Sequence, residues 1–260
     1  MDTLNLLHPS IKIYNTKTFT DNPGPRRMNF LKDYALVIFD CDGVLVDSES
    51  IANKILAQSL TQEGYTCSFR EAVTKFVGRD LNSIQREVEE ELGRSLDPSF
   101  QTKLQRKTAQ LFEKELKPIE GIKTALDAIP TLKCVASSGS QEKIRLSLTL
   151  TGLSDFFLPE NIFSASEVHN GKPAPDLFLH AAAKMGVNPL RSIVIEDSVP
   201  GVAAARAAGM PVFGFAGGQH VDPNHSRDLS KAGALVFKCM ASLPHHLQYV
   251  DPLQMRGTVL

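Results

Sequence analysis

The chain of 260 residues contains no Cys-x-x-Cys pair, and its four cysteines, Cys41, Cys67, Cys134 and Cys239, are scattered along it. A chain this long builds a core without cross-links, so a disulfide framework is not expected and a reducing, cytoplasmic setting is. No apolar run approaches the length of a membrane span. Leu4 to Leu7 is too short and interrupted for a secretory signal. Neither sign of charge dominates: 28 basic and 29 acidic residues give a formal net charge of −1. That balance supplies no long-range field to draw nucleic acid or anionic lipid, so neither partner is expected. The seven histidines show no ligand spacing, and His245-His246 reads as a tail feature. Internal repeats and low-complexity tracts are missing as well. What is present is the composition of a globular protein, 42% hydrophobic and 22% charged.

Ala35 to Phe39 is a continuous apolar run, the pattern of a parallel strand buried on both faces. It stops abruptly at Asp40-Cys41-Asp42-Gly43. From Ser48 to about Leu116 the pattern is helical, with no strand signal. Ile51, Ile55 and Leu60 recur near helical spacing, and Gly64 offers a stop. Ser68-Phe69-Arg70-Glu71 is a capping-box pattern. Leu81, Ile84, Val88 and Leu92 form one stripe closed by Gly93, and Phe100, Leu104, Leu111 and Phe112 suggest a fourth helix. After Pro118 strands and helices alternate. Strands are predicted at 134–136, 192–195, 211–215 and 234–237, and helices at 121–129, 141–150, up to Met185, and 202–208. Such alternation predicts an α/β fold, a Rossmann-like doubly wound parallel sheet core. The reading divides the chain into an N-terminal extension at 1–33, a helical cap at 48–117, and a core made of 34–47 and 118–260. The extension, with its prolines and its Arg26-Arg27 pair, is expected to be flexible, and Met28 is a candidate true start.

Four polar clusters follow predicted strands or open predicted helices: Asp40-Cys41-Asp42-Gly43, Ser137-Ser138-Gly139-Ser140, Gly171-Lys172-Pro173 and Glu196-Asp197-Ser198. A doubly wound sheet brings the ends of its strands to one edge, where open α/β sheets bind ligands. Singly, each cluster is an ordinary turn, helix cap or calcium-loop fragment. Together they gather four carboxylates, a lysine and several hydroxyls. Carboxylates that crowd together need protons or a cation. An all-oxygen donor set without histidine or cysteine suits Mg²⁺ better than zinc, and Mg²⁺ points to phosphoryl transfer. On this reading Asp40 is a carboxylate nucleophile. Asp42 moves protons. Asp197 completes a metal site with Asp40, and Glu196 is a candidate to join it. Lys172 neutralises the transferring group and Asp40. Ser137 and the amides of Ser138 and Gly139 hold phosphate oxygens.

The run from Phe39 to Glu49 resembles the first motif of the haloacid dehalogenase superfamily. Ser137, Lys172 within Gly-Lys-Pro-Ala-Pro-Asp, and Val194 to Gly201 resemble its second, third and fourth motifs. Ser138 aligns to the second motif as well as Ser137 does. The resemblance covers about Ala35 to Gly218. It implies a Rossmann-like core, a four-helix cap inserted after the first strand, and Mg²⁺ ligated by the backbone carbonyl of Asp42 rather than its side chain. Within the superfamily the chain is similar to the β-phosphoglucomutase-like and sugar-phosphate (6-phosphogluconate-type) phosphatases. True dehalogenases lack an acid at the position of Asp42, and β-phosphoglucomutases carry a cap histidine where this chain has Ala52.

The expectation is therefore a Mg²⁺-dependent phosphatase of a small phosphorylated metabolite, a sugar or sugar acid, acting as a monomer or weak homodimer. A phosphomutase and a non-catalytic relative are the alternatives. In the cap, Arg79 is a candidate grip for a second anionic group, and Glu49 and Asn53 are candidates to face the cleft. Cys41 has no histidine partner placed by any motif, so a thiol mechanism is not expected.

Overall fold

The computed structural model describes residues 34–76, 81–218 and 224–249. The extension with Met28, and Arg79, lie outside these described residues. Among them, six strands form one parallel sheet: β1 (Leu36–Phe39), β2 (Leu132–Ser137), β3 (Ile162–Ser164), β4 (Ser192–Glu196), β5 (Val212–Phe215) and β6 (Leu235–Phe237). Their order is β3-β2-β1-β4-β5-β6. The chain winds outward one way from β1 and then crosses over to wind the other way. The switch lies between β1 and β4, where Phe39 registers with Ile195. The crevice beyond the carboxyl ends of those two strands is where such sheets bind ligands.

The apolar run of β1 sorts by its period of two. Val37 and Phe39 pack toward helices α5 (Ile122–Ala128), α6 (Gln141–Leu150) and α10 (Leu243–Tyr249). Leu36 and Ile38 pack toward α7 (Asp176–Lys184), α8 (Val199–Ala207) and α9 (His225–Lys231). All four are fully buried. Each such side chain contributes about 1.5–3 kcal/mol on leaving water, so β1 is held from both faces and makes a rigid mount for whatever follows it.

Between β1 and α5 come four helices, α1 (Ser48–Gln62), α2 (Phe69–Phe76), α3 (Leu81–Leu92) and α4 (Phe100–Glu115). Helices α1, α3 and α4 form where their stripes predict, and α2 where its capping box does. Ile51, Ile55 and Leu60 are buried in α1, Ile84 and Val88 in α3, and Phe100, Leu104 and Phe112 in α4. The capping box at α2 is complete: Ser68 N–H donates to Glu71 Oε2 at 2.7 Å, and Glu71 N–H to Ser68 Oγ at 3.2 Å. The two crossings of the insert are stitched to each other. Asp47 N–H donates to Lys117 O at 3.0 Å, and Ile119 N–H to Leu45 O at 2.9 Å.

Strand β3 is absent from the sequence reading. Three residues are too few to show a period, and its stability comes from pairing with Val135 to Ser137.

Candidate active site

The site begins where β1 ends. Asp40 N–H still donates to Ile195 O at 3.0 Å, so the sheet ladder holds its backbone one residue past the strand. The chain then turns tightly, with Gly43 N–H on Val46 O at 2.8 Å and Leu45 N–H on Cys41 O at 2.9 Å. Gly43 has φ of +80°, which only glycine adopts without strain. A Cβ there would sit 1.9 Å from Asp197 Oδ2. The turn after β1 and the carboxylate after β4 thus interlock, and both features demand glycine.

Lys172 comes from the loop before α7 and is the buried cation of the site. Its Nζ donates to Asp40 Oδ1 at 2.5 Å and to Glu196 Oε1 at 2.6 Å, with the side chain 5% exposed. The Phe178 ring lies 4.9 Å from it. Burial alone would lower the pKa of Lys172, but Asp40 and Glu196 overrule it and hold the ammonium charged. Asp40 feels the opposite balance. Burial pushes its carboxyl well above the ordinary range; Lys172 pulls it down, while Glu196, Asp197 and Asp42 push it further up. Burial likewise raises Asp197, and Glu196 and Glu49 add to the push. Cys41 is driven up by burial and by its two aspartate neighbours, so its thiol stays protonated and is no nucleophile.

Glu196 is fully engaged. Its Oε2 accepts from Ser198 N–H at 2.7 Å and Ser198 Oγ–H at 2.8 Å, and the Ser198 hydroxyl in turn caps α8 through Gly201 N–H. Asp42 is held on both oxygens: Oδ1 accepts from Ser48 Oγ at 2.5 Å and Oδ2 from Lys143 Nζ at 2.8 Å. Asp40, Asp42, Lys172, Glu196, Asp197, Ser137 and Ser138 line one cavity of about 430 Å³, joined by Glu49 from α1 and His225 from the start of α9.

The family model of the haloacid dehalogenase-like hydrolases matches residues 37–215, well over half the chain. The chain belongs to this family. It is 36% identical over 188 residues to the 6-phosphogluconate phosphatase of Escherichia coli, covering 72% of this chain and 85% of that one. A haloacid dehalogenase-like protein of unknown function from Agrobacterium tumefaciens superposes with a TM-score of 0.77 at 42% identity, covering 82% of this chain and 96% of its own. A haloacid dehalogenase family hydrolase from Deinococcus radiodurans, solved with bound phosphate and sodium, superposes with a TM-score of 0.73 at 31% identity, covering 81% of this chain and 93% of its own. The chain is a phosphomonoester hydrolase of this family.

The structure changes two sequence expectations. Asn53 is buried and donates to the Glu49 backbone carbonyl at 2.8 Å, so it braces α1 and does not line the cavity. Gly139 does not line it either; its N–H donates to Ser137 Oγ at 3.3 Å. Glu196 serves Lys172 and Ser198 with its two oxygens and also lines the cavity, so it holds the lysine. Ser137 is buried and fixed by Gly139, whereas Ser138 is exposed; both reach the cavity. Sequence reasoning missed Lys143, Ser48 and His225. Ser48 lies within the first motif and Lys143 stands three residues past the Ser140 cap, but neither spacing reveals a partner. It also missed Ser164 in β3, whose hydroxyl donates to Gly139 O at 2.7 Å and holds the second polar loop.

Gly43→Ala is expected to lose about 1–3 kcal/mol of stability, because the new Cβ meets Asp197 and the positive φ is strained. Urea denaturation reads this; an unchanged midpoint would show that the turn accommodates a side chain.

Proposed function

We propose that this hydrolase is a Mg²⁺-dependent phosphatase of small phosphorylated sugars or sugar acids, carrying the phosphoryl group on Asp40 between two steps. The observation that supports it most is Asp40 itself, buried at the carboxyl end of the central strand on Lys172 and facing a cavity shared with Asp42, Asp197 and Ser137. The 6-phosphogluconate phosphatase and a fructose-1-phosphate phosphatase of Escherichia coli, 31% identical over 182 residues, support the substrate class.

The residues fit Mg²⁺. Five carboxylates and Lys172 line the cavity, an acidic excess that repels a phosphate dianion and that a cation would offset. Among the described residues no group of three acidic, histidine or cysteine side chains already stands in ligand geometry. Mg²⁺ does not need such a cage, since it keeps waters and shares phosphate oxygens. Asp40, Asp197 and the backbone carbonyl of Asp42 would hold it. When bound, it neutralises charge on the phosphoryl oxygens.

A carboxylate oxygen of Asp40 attacks phosphorus, and the bond from phosphorus to the ester oxygen breaks. Asp42 delivers a proton to that oxygen as it leaves. Asp42 then takes a proton from the water whose oxygen attacks phosphorus. The bond from phosphorus to Asp40 breaks, inorganic phosphate departs, and both side chains return to their starting state. Lys172 pulls Asp40 toward its ionised form against the push of burial, and Ser137 and Ser138 hold phosphoryl oxygens. Helices α1–α4 act as the cap, and Glu49 presents a carboxylate to the part of the substrate beyond the phosphate. At Ala52 there is no imidazole to serve a mutase. No described helix is long and apolar enough to cross a membrane, and Cys41, Cys67, Cys134 and Cys239 are free thiols, which supports a cytoplasmic setting. A monomer or weak homodimer is the proposed assembly.

The test is a panel of phosphorylated sugars and sugar acids, with and without chelator. Chelation is expected to lower turnover about 10²-fold or more, and added Mg²⁺ to restore it. Full activity in excess chelator would exclude the metal.

A further inference from the structure

Asp42 lines the cavity and Lys143 does not. Yet the Lys143 ammonium reaches Asp42 Oδ2 at 2.8 Å across 101 positions of chain. Its backbone is fixed by the second polar loop, because Lys143 N–H donates to the Ser140 hydroxyl that caps α6. Its ammonium stands 5.7 Å from the ring centroid of Phe112 on α4, and an aromatic face attracts a cation at that range. The other oxygen of Asp42 is held by Ser48 at the start of α1. A core helix and both ends of the helical insert therefore converge on one carboxylate. With each oxygen tied to a different donor, the plane of that carboxylate is set.

The pair is ill suited to holding the fold. The side chains of Lys143 and Asp42 are 43% and 21% exposed, and ion pairs so open to solvent add little to stability. Nor does Lys143 touch the space a substrate would fill. What it does touch is the one carboxylate assigned to proton movement. We propose that Lys143 is a positioning residue for the hydrolytic reaction: it orients the Asp42 carboxylate toward the leaving oxygen, and Phe112 of the insert sets where its ammonium stands. This rests on the reading of Asp42 as the proton carrier.

Two aryl esters separate proton delivery from everything else. The 4-nitrophenolate ion leaves from 4-nitrophenyl phosphate without help, whereas the leaving oxygen of phenyl phosphate needs a proton. Lys143→Met keeps most of the length of the side chain and removes the ammonium. It is expected to lower kcat/KM for phenyl phosphate about 10²-fold and for 4-nitrophenyl phosphate no more than about threefold, with an unchanged thermal midpoint. Lys143→Arg is expected to recover most of the phenyl phosphate loss. Asp42→Asn is expected to discriminate between the esters in the same way, and adding Lys143→Met to it to cost nothing further. Equal losses on both esters, or losses that add in the Asp42→Asn background, overturn the proposal. Loss of phenyl phosphate turnover in Asp42→Asn with none in Lys143→Met overturns the proposal alone. Asp42→Asn that keeps phenyl phosphate turnover overturns the assignment of Asp42, and the proposal with it.

Discussion

Asp40→Asn is expected to lower turnover of 4-nitrophenyl phosphate with Mg²⁺ about 10⁴-fold or more while the protein stays folded. The amide has the shape of the carboxylate but cannot attack phosphorus. Retention of the fold follows from what surrounds it. Lys172 keeps Glu196 at 2.6 Å, so removing the Asp40 charge leaves no orphaned ammonium. The Asn side chain also relieves the repulsion that Glu196, Asp197 and Asp42 exert on Asp40. The thermal midpoint should therefore stay within about 4 °C of the parent. A second readout separates nucleophile from metal ligand. Acid quenching during turnover should leave labelled phosphate on the parent chain and none on the variant. Undiminished turnover, or label on the variant, would remove Asp40 from its role.

Lys172→Met should harm both stability and rate. It leaves Asp40 and Glu196 facing each other in a buried site with their shared partner gone. Breaking a buried pair from one side costs about 3–5 kcal/mol, and loss of a charge aimed at the transferring group costs about 10²–10³-fold in rate. The stability deficit should depend on pH, and its sign follows from Asp40. Burial already raises the pKa of that carboxyl in the folded protein, and Lys172 is what pulls it back. Without the lysine the folded state holds that proton more tightly still, further above the unfolded chain. Stability is then present below the unfolded carboxylate pKa of about 3.9 and is lost as pH rises from there through the folded value. Urea denaturation of the variant should show a smaller deficit at about pH 5 than at about pH 8. A deficit that is flat with pH would mean that Asp40 does not carry it.

Much of the site was legible because a buried parallel strand has a plain signature. Ala35 to Phe39 and Ser192 to Ile195 can be apolar on both faces only inside a sheet, and the acidic residues directly after them fall at its carboxyl edge. The helical insert was legible for a similar reason, since three of its helices carry stripes long enough to show a period and a capping box marks the start of α2. Strand β3 was not, being three residues whose pairing with β2 does the holding. Glu196 shows the limit within a motif. The order of the chain puts it beside Asp197, but only the packed structure turns it onto Lys172 and the start of α8, where Gly201 leaves room for its carboxylate.

Which chemistry the chain can attempt is written in its residues: aspartates at strand ends, a lysine and two serines, with a helical insert after the first strand. Those are properties of residue type and period, and both are local. The pairing of Lys172 with Asp40 across 132 positions was read from the motifs. Only the fold shows that Asp42 is bonded to Lys143 across 101 positions and to Ser48. The Lys143 contact follows from strand order and helix placement, and no spacing along the chain encodes it.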